Sequence, residues 1–184
     1  MKSAYTLLIL FTMLISACAP MGSSIVIEDK TMTNSNPSFS LKFSEKPLVI
    51  KGEGKIREFH FVNDSRSIIA GYYRWIESNN IDYYYGLSAM VAGFNYEYIG
   101  SVHFADHEWA KVAKYDNQHE ALTCGYLTRK DNSIILVFSA IEDIERSTKW
   151  EFEEFFKAQE MSDPIRKEID SQFEYLDSMV EILY

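Results

Sequence analysis

The order of patterned segments along this chain predicts an α+β fold: an antiparallel sheet with C-terminal amphipathic helices packed on one face. Three observations carry that expectation. Phe39, Leu41 and Phe43 alternate with Ser38, Ser40 and Lys42, the period of a half-buried strand. Ala121 to Ile141 reads as a β-hairpin, with alternating Leu122, Cys124 and Tyr126, a polar turn at Arg129 to Ser133, and a returning apolar run, Ile134 to Ile141. Ile165, Ile169, Phe173, Leu176, Val180 and Leu183 fall three or four residues apart, which draws one apolar stripe down a helix.

The N-terminus is a targeting segment. Lys2 gives one positive charge, Leu7 to Ile15 is apolar apart from Thr12, and Ser16 and Ala17 are small. That is the anatomy of a signal peptide, too short in its apolar run to span a bilayer as a stable helix. Ile15-Ser16-Ala17-Cys18 resembles the lipobox of bacterial lipoproteins. The resemblance implies cleavage before Cys18 and acylation of its sulfur, since two or more acyl chains anchor a protein stably where one does so marginally. An ordinary secretory signal cut after Ala17 or Ala19 is the alternative. Ala19 stands where an Asp would resemble an inner-membrane retention signal, so the resemblance implies an outer-membrane position facing the periplasm in a Gram-negative host.

The expected organisation is therefore a signal peptide over residues 1–17, a lipidated Cys18 with a flexible tether over 18–37, and one α+β domain over 38–184. The tether from Ala19 to Pro37 is rich in Ser, Thr, Asn and Met, and a flexible chain of that length spans about 25 Å. Ile25-Val26-Ile27 is its one apolar patch, able to dock as a short strand. Within the domain, Leu48 to Lys51 reads as a short edge strand, Phe59 and Phe61 mark another strand, and Ile68 to Ile76 a third. Asn63-Asp64-Ser65 and Asn79-Asn80 read as turns. Tyr83 to Ile99 reads as one long bent strand or a hairpin, with a short helix at Leu87 to Ala92 as the alternative. Ile134 to Ile141 is nearly continuous in its apolar character, which predicts a central strand covered on both faces. A helix is expected over Lys149 to Met161, and a second begins at Asp163 and Pro164.

Composition bounds the function. The chain has 184 residues, 47% of them hydrophobic and 15% aromatic, enough for one sizeable core. Its net charge is −9 with no basic cluster, which argues against nucleic acid and against adhesion to anionic lipid through its own surface. Glu142 to Tyr184 carries 13 Asp and Glu against 5 Lys and Arg, and reads as a solvated outer face rather than a docking surface. With Cys18 acylated, Cys124 has no disulfide partner in the chain, and its place in an apolar strand predicts a buried inert thiol.

No constellation carries chemistry clearly. His103 and His107 share a helix face if that segment is helical, with Asp106 or Glu108 nearby, but the zincin pattern is missing and the local sequence favours loop or strand. They stand as weak metal candidates, and no cofactor is expected. His119 and Cys124 lie on opposite faces of a regular strand, so they do not form a thiol–imidazole pair. Neither a nucleophile elbow nor a phosphate loop is present. The C-terminal carboxylate pairs sit on the wet side of a helix. The aromatic stretch holds the candidate binding residues: Tyr73, Trp75, Tyr83, Tyr84, Tyr85 and Tyr96. In alternating strands half of such residues face away from one core, and exposed Tyr and Trp suit a binding surface.

The layout from Ser38 to Tyr184 resembles the PsbP/Mog1-like α+β sandwich: an opening strand at Phe39 to Phe43, a late hairpin at Ala121 to Ile141 and a closing amphipathic helix. The Gly-Trp turn that often follows the first strand of that family has no counterpart here. The resemblance implies a binding or assembly module rather than an enzyme. The expectation is a non-enzymatic envelope lipoprotein, held at the membrane through Cys18, that binds an envelope protein partner through its aromatic strands. A carrier of a small apolar ligand between sheet and helix, or a hydrolase or metal-dependent enzyme at His103 and His107, are the rival readings.

Overall fold

The computed structural model describes residues 25–62, 64–74, 96–104, 106–116, 121–131, 133–141 and 163–183. Among them are two antiparallel sheets and one helix. The fold is β-rich, which corrects the expected α+β arrangement of one sheet with several C-terminal helices.

The smaller sheet contains β1 (Ile25–Glu28), β2 (Thr31–Ser35), β3 (Ser38–Phe43) and β11 (Val180–Leu183), in the order β1-β2-β3-β11. Residues 25–35, read as part of a tether, are thus paired strands. Their polarity concealed the pattern. Met32 is buried and so is Asn34, whose amide Nδ2 donates to the Pro37 carbonyl at 2.6 Å. A buried polar side chain is tolerated once its hydrogen bond is made, so an inward-facing position need not look apolar. The stripe from Ile165 to Leu183 also divides. Its middle positions Ile169, Phe173 and Leu176 are buried on the helix α1 (Asp163–Met179). Val180 and Leu183 belong to β11, where Val180 faces Phe43 and Leu183 faces Ser40. Four residues are too few for helical and extended periods to be told apart by spacing. The helix expected over Lys149 to Met161 lies outside the described residues.

The larger sheet holds β4 (Val49–Lys51), β5 (Ile56–His60), β6 (Arg66–Arg74), β7 (Glu97–Phe104), β8 (His107–Asp116), β9 (Ala121–Lys130) and β10 (Ser133–Ile141), in the order β4-β5-β6-β10-β9-β8-β7. The hairpin of β9 and β10 and the central place of β10 are as the sequence predicts, and β4 is the predicted edge strand. The small sheet and α1 share one core with the inner face of the large sheet. Phe39, Leu41 and Phe43 of β3, and Ile169, Phe173 and Leu176 of α1, meet Phe59, Ile68, Trp109, Leu122, Tyr126, Ile135 and Val137. The opposite, outer face carries a second cluster: Ala110, Val112, Leu127, Ile134, Leu136 and Phe138. Strand β10 alternates between the two, which is why it reads as a continuous apolar run.

Polar contacts fix α1 on the inner face. Tyr126 Oη donates to Asp177 Oδ1 at 2.7 Å. Ser139 Oγ donates to Gln172 Oε1 at 3.1 Å, and Gln172 Nε2 donates to Glu168 Oε1 at 3.0 Å. Burial, then the hydrogen bond and charge of Asp177, push the Tyr126 phenol far above its ordinary range. Burial, with Asp64 nearby, also raises Tyr175. Above about pH 10 an unfolded chain ionises these phenols while the folded chain keeps their protons. The unfolded state then binds fewer protons, so stability is level below that pH and falls as pH rises through it. Tyr126→Phe should cost about 1.5 kcal/mol at neutral pH, through loss of a hydrogen bond to a charged acceptor, and should flatten part of this alkaline decline. Denaturant unfolding at pH 7 and pH 11 measures both effects, and an unchanged alkaline slope would remove Tyr126 from the account.

A candidate ligand cleft on the outer sheet face

The outer face has a relief that its strand register explains. One row across the sheet reads Val112, Gly125, Phe138 and Ile69, and the next reads Ala110, Leu127, Leu136, Gly71 and Ile56. Gly125 faces the largest side chain of the row. A Cβ there would collide with Phe138 Cδ1 and the Val137 carbonyl oxygen, so the Phe138 ring lies over bare backbone. Gly71 admits a different neighbour. A Cβ there would collide with the Lys55 carbonyl oxygen, which accepts a hydrogen bond from Tyr72 N at 3.0 Å. The chain entering β5 therefore lies close against β6 and brings Ile56 to the second row.

These residues bound a half-enclosed cleft of about 350 Å³. Leu127, Leu136, Phe138, Ile69 and Ile56 supply its apolar lining. Tyr73 and Tyr96 supply its aromatic lining, with the Tyr96 ring 5.1 Å from that of Phe138 between centroids and tilted by 30°. Lys114 and Thr123, which face each other across β8 and β9, supply the polar groups. Lys114 Nζ stands 5.5 Å from the Tyr96 ring centroid, within cation–π range. Among the described lining residues there is one charged side chain and no Cys, His, Asp or Glu. Such a site can hold and orient a molecule against one cation and a largely apolar wall.

Two of the six aromatic candidates, Tyr73 and Tyr96, come together here, from strand β6 and the residue before β7. Tyr72, the neighbour of Tyr73, turns inward and packs edge-on against Phe39 at 6.3 Å. Trp75, Tyr83, Tyr84 and Tyr85 lie outside the described residues, as does Cys18. His103 and His107 flank the β7–β8 turn, opposite Glu108 and Phe104 respectively. They therefore point to opposite faces of the sheet, His103 outward and His107 inward, which replaces the shared face that a helix would give. No group of three or more His, Cys, Asp or Glu able to hold a metal occurs among the described residues. Cys124 is a free, buried thiol of the inner face, pushed up by burial and then by Glu168, and so far from nucleophilic. His119 lies outside the described residues.

The sequence reading missed Lys114, Thr123, Leu136 and Phe138. The available signal was Gly125, a glycine inside a well-alternating strand, which marks a point of close approach. It does not say what approaches, because that depends on the register between β9 and β10. Comparison with family models, with curated proteins and with solved structures finds no match to this chain.

Proposed function

We propose that this chain is a non-enzymatic, lipid-anchored binding module of the cell envelope, tethered through Cys18, that takes a small apolar ligand in the outer-face cleft. The observation that carries the reading is the convergence of Tyr73 and Tyr96 on one concave apolar surface with a single cation. The volume of about 350 Å³ falls at the lower end of small-molecule sites. A concave site of this size favours a small molecule over the envelope protein partner that the tyrosines suggest by themselves. The location differs from the expected carrier site between sheet and helix: there the core is filled by Phe173, Leu176 and the aromatic residues of β3 and β5.

Native mass spectrometry of the full chain, purified under mild conditions, tests this reading. A bound small molecule is expected, and Leu136→Trp, which fills the cleft, should abolish it. A ligand retained by a folded Leu136→Trp chain would overturn the site. Fractionation of cells expressing Cys18→Ser tests the anchor, with release from the membrane fraction expected.

A further inference from the structure

The one charged side chain among the described lining residues stands at one end of the cleft, and that asymmetry carries an inference about its occupant that rests on the ligand-binding reading above. Lys114 lies on β8 and Ile56 on β5, with β9, β10 and β6 between them. Four strand spacings, and an offset of four residues along the strands, separate these ends by about 23 Å. The residues that line the cleft run diagonally across these five strands. Between the ends the lining is Leu127, Leu136, Phe138 and Ile69, all apolar.

Lys114 sits at the cation-bearing end, with Thr123 opposite. Its ammonium lies beside the Tyr96 ring and makes no ion pair with an acidic side chain among the described residues. A half-buried cation beside an apolar surface gains most from an anion that also accepts its hydrogen bonds. The Thr123 hydroxyl adds a donor at the same end. Lys114 is the one charged side chain among the described lining residues, and it sets the local charge there against the net −9 of the whole chain.

We propose that the cleft binds a single-chain amphiphile with one anionic head, a long-chain carboxylate, with the carboxylate at Lys114 and Thr123 and the alkyl chain laid across β9, β10 and β6 toward Ile56. The cation selects the head and the row of Leu127, Leu136 and Phe138 takes the chain.

Titration calorimetry on the full chain separates the parts. The probes are dodecanoate, dodecan-1-ol and dodecyltrimethylammonium, each below its micelle concentration, and hexanoate as a short anion. Dodecanoate should bind about tenfold or more tighter than the alcohol, consistent with one charge-assisted contact. The cationic probe and hexanoate should bind weakest. Lys114→Met keeps the aliphatic stem and should erase the preference for carboxylate over alcohol, while Lys114→Arg should keep it. Equal affinity for dodecanoate and dodecan-1-ol in the unmodified chain would overturn the anionic assignment and leave the cleft standing. Undiminished dodecanoate binding by a folded Leu136→Trp chain would instead overturn the cleft itself. Preference for the cationic probe, or no binding of any C12 probe, would overturn the proposal outright.

Discussion

Replacing Phe43 with Ala should lower the stability of the domain by about 3–5 kcal/mol, the range for removing a large buried aromatic ring. Phe43 is 1% exposed. It ends β3, the strand that β2 and β11 flank, and its ring lies 4.6 Å from Phe59 and 5.8 Å from Phe61 between centroids. The ring is therefore a joint between the small sheet and the β5 side of the large one. Its backbone N–H is bonded to the Lys30 carbonyl at 2.7 Å, and it faces Val180 in register, so the backbone cannot readily close the space left by the ring. A trapped cavity adds to the lost transfer energy. Denaturant unfolding measures the effect, with Leu48→Ala as the reference. Leu48 is 67% exposed, and its truncation should change stability by no more than about 0.5 kcal/mol. A loss below about 1 kcal/mol for Phe43→Ala would mean that the two sheets are not joined at this ring.

The same strand shows what the sequence made legible. Phe39, Leu41 and Phe43 announce β3 because every inward position is apolar and every outward one polar. The β9–β10 hairpin announces itself through its turn, and β10 through its length without a charge. Strands β1 and β2 do not, since the inward Asn34 satisfies itself locally and breaks the apolar alternation. Strand β11 hides at the end of a helical stripe, because the spacing of Val180 and Leu183 continues that of α1. The cleft was less legible still. Tyr73 stands out by composition, but Lys114, Gly125 and Phe138 acquire meaning only when Val112, Gly125, Phe138 and Ile69 fall in one row. Registers between strands are tertiary facts, and a period-2 pattern fixes which face a residue takes without fixing its neighbour.

Gly125→Ala tests that row directly and should be strongly destabilising for the addition of a single methyl. The new Cβ would meet the Val137 carbonyl oxygen and, at 2.6 Å, Phe138 Cα. Both are backbone atoms of the central strand, so no side-chain rotation relieves the contact. Either β9 and β10 move apart, at the expense of paired hydrogen bonds, or the hairpin twists and displaces the Phe138 ring. Overpacking of a dense interior costs about 1–3 kcal/mol, and a clash with backbone belongs at the upper end. Gly100→Ala is the matched control, because a Cβ there meets nothing within 4 Å. Thermal unfolding of the two variants should show a large loss for Gly125→Ala and almost none for Gly100→Ala. Ligand retention in native mass spectrometry supplies the second readout. If the Phe138 ring is displaced, its stack with Tyr96 goes with it, and the cleft should lose its occupant even at temperatures where the variant is still folded. Equal stability of the two variants would mean that Phe138 does not lie over the β9 backbone, and the floor of the cleft would then have to be rebuilt from Leu127 and Leu136 alone.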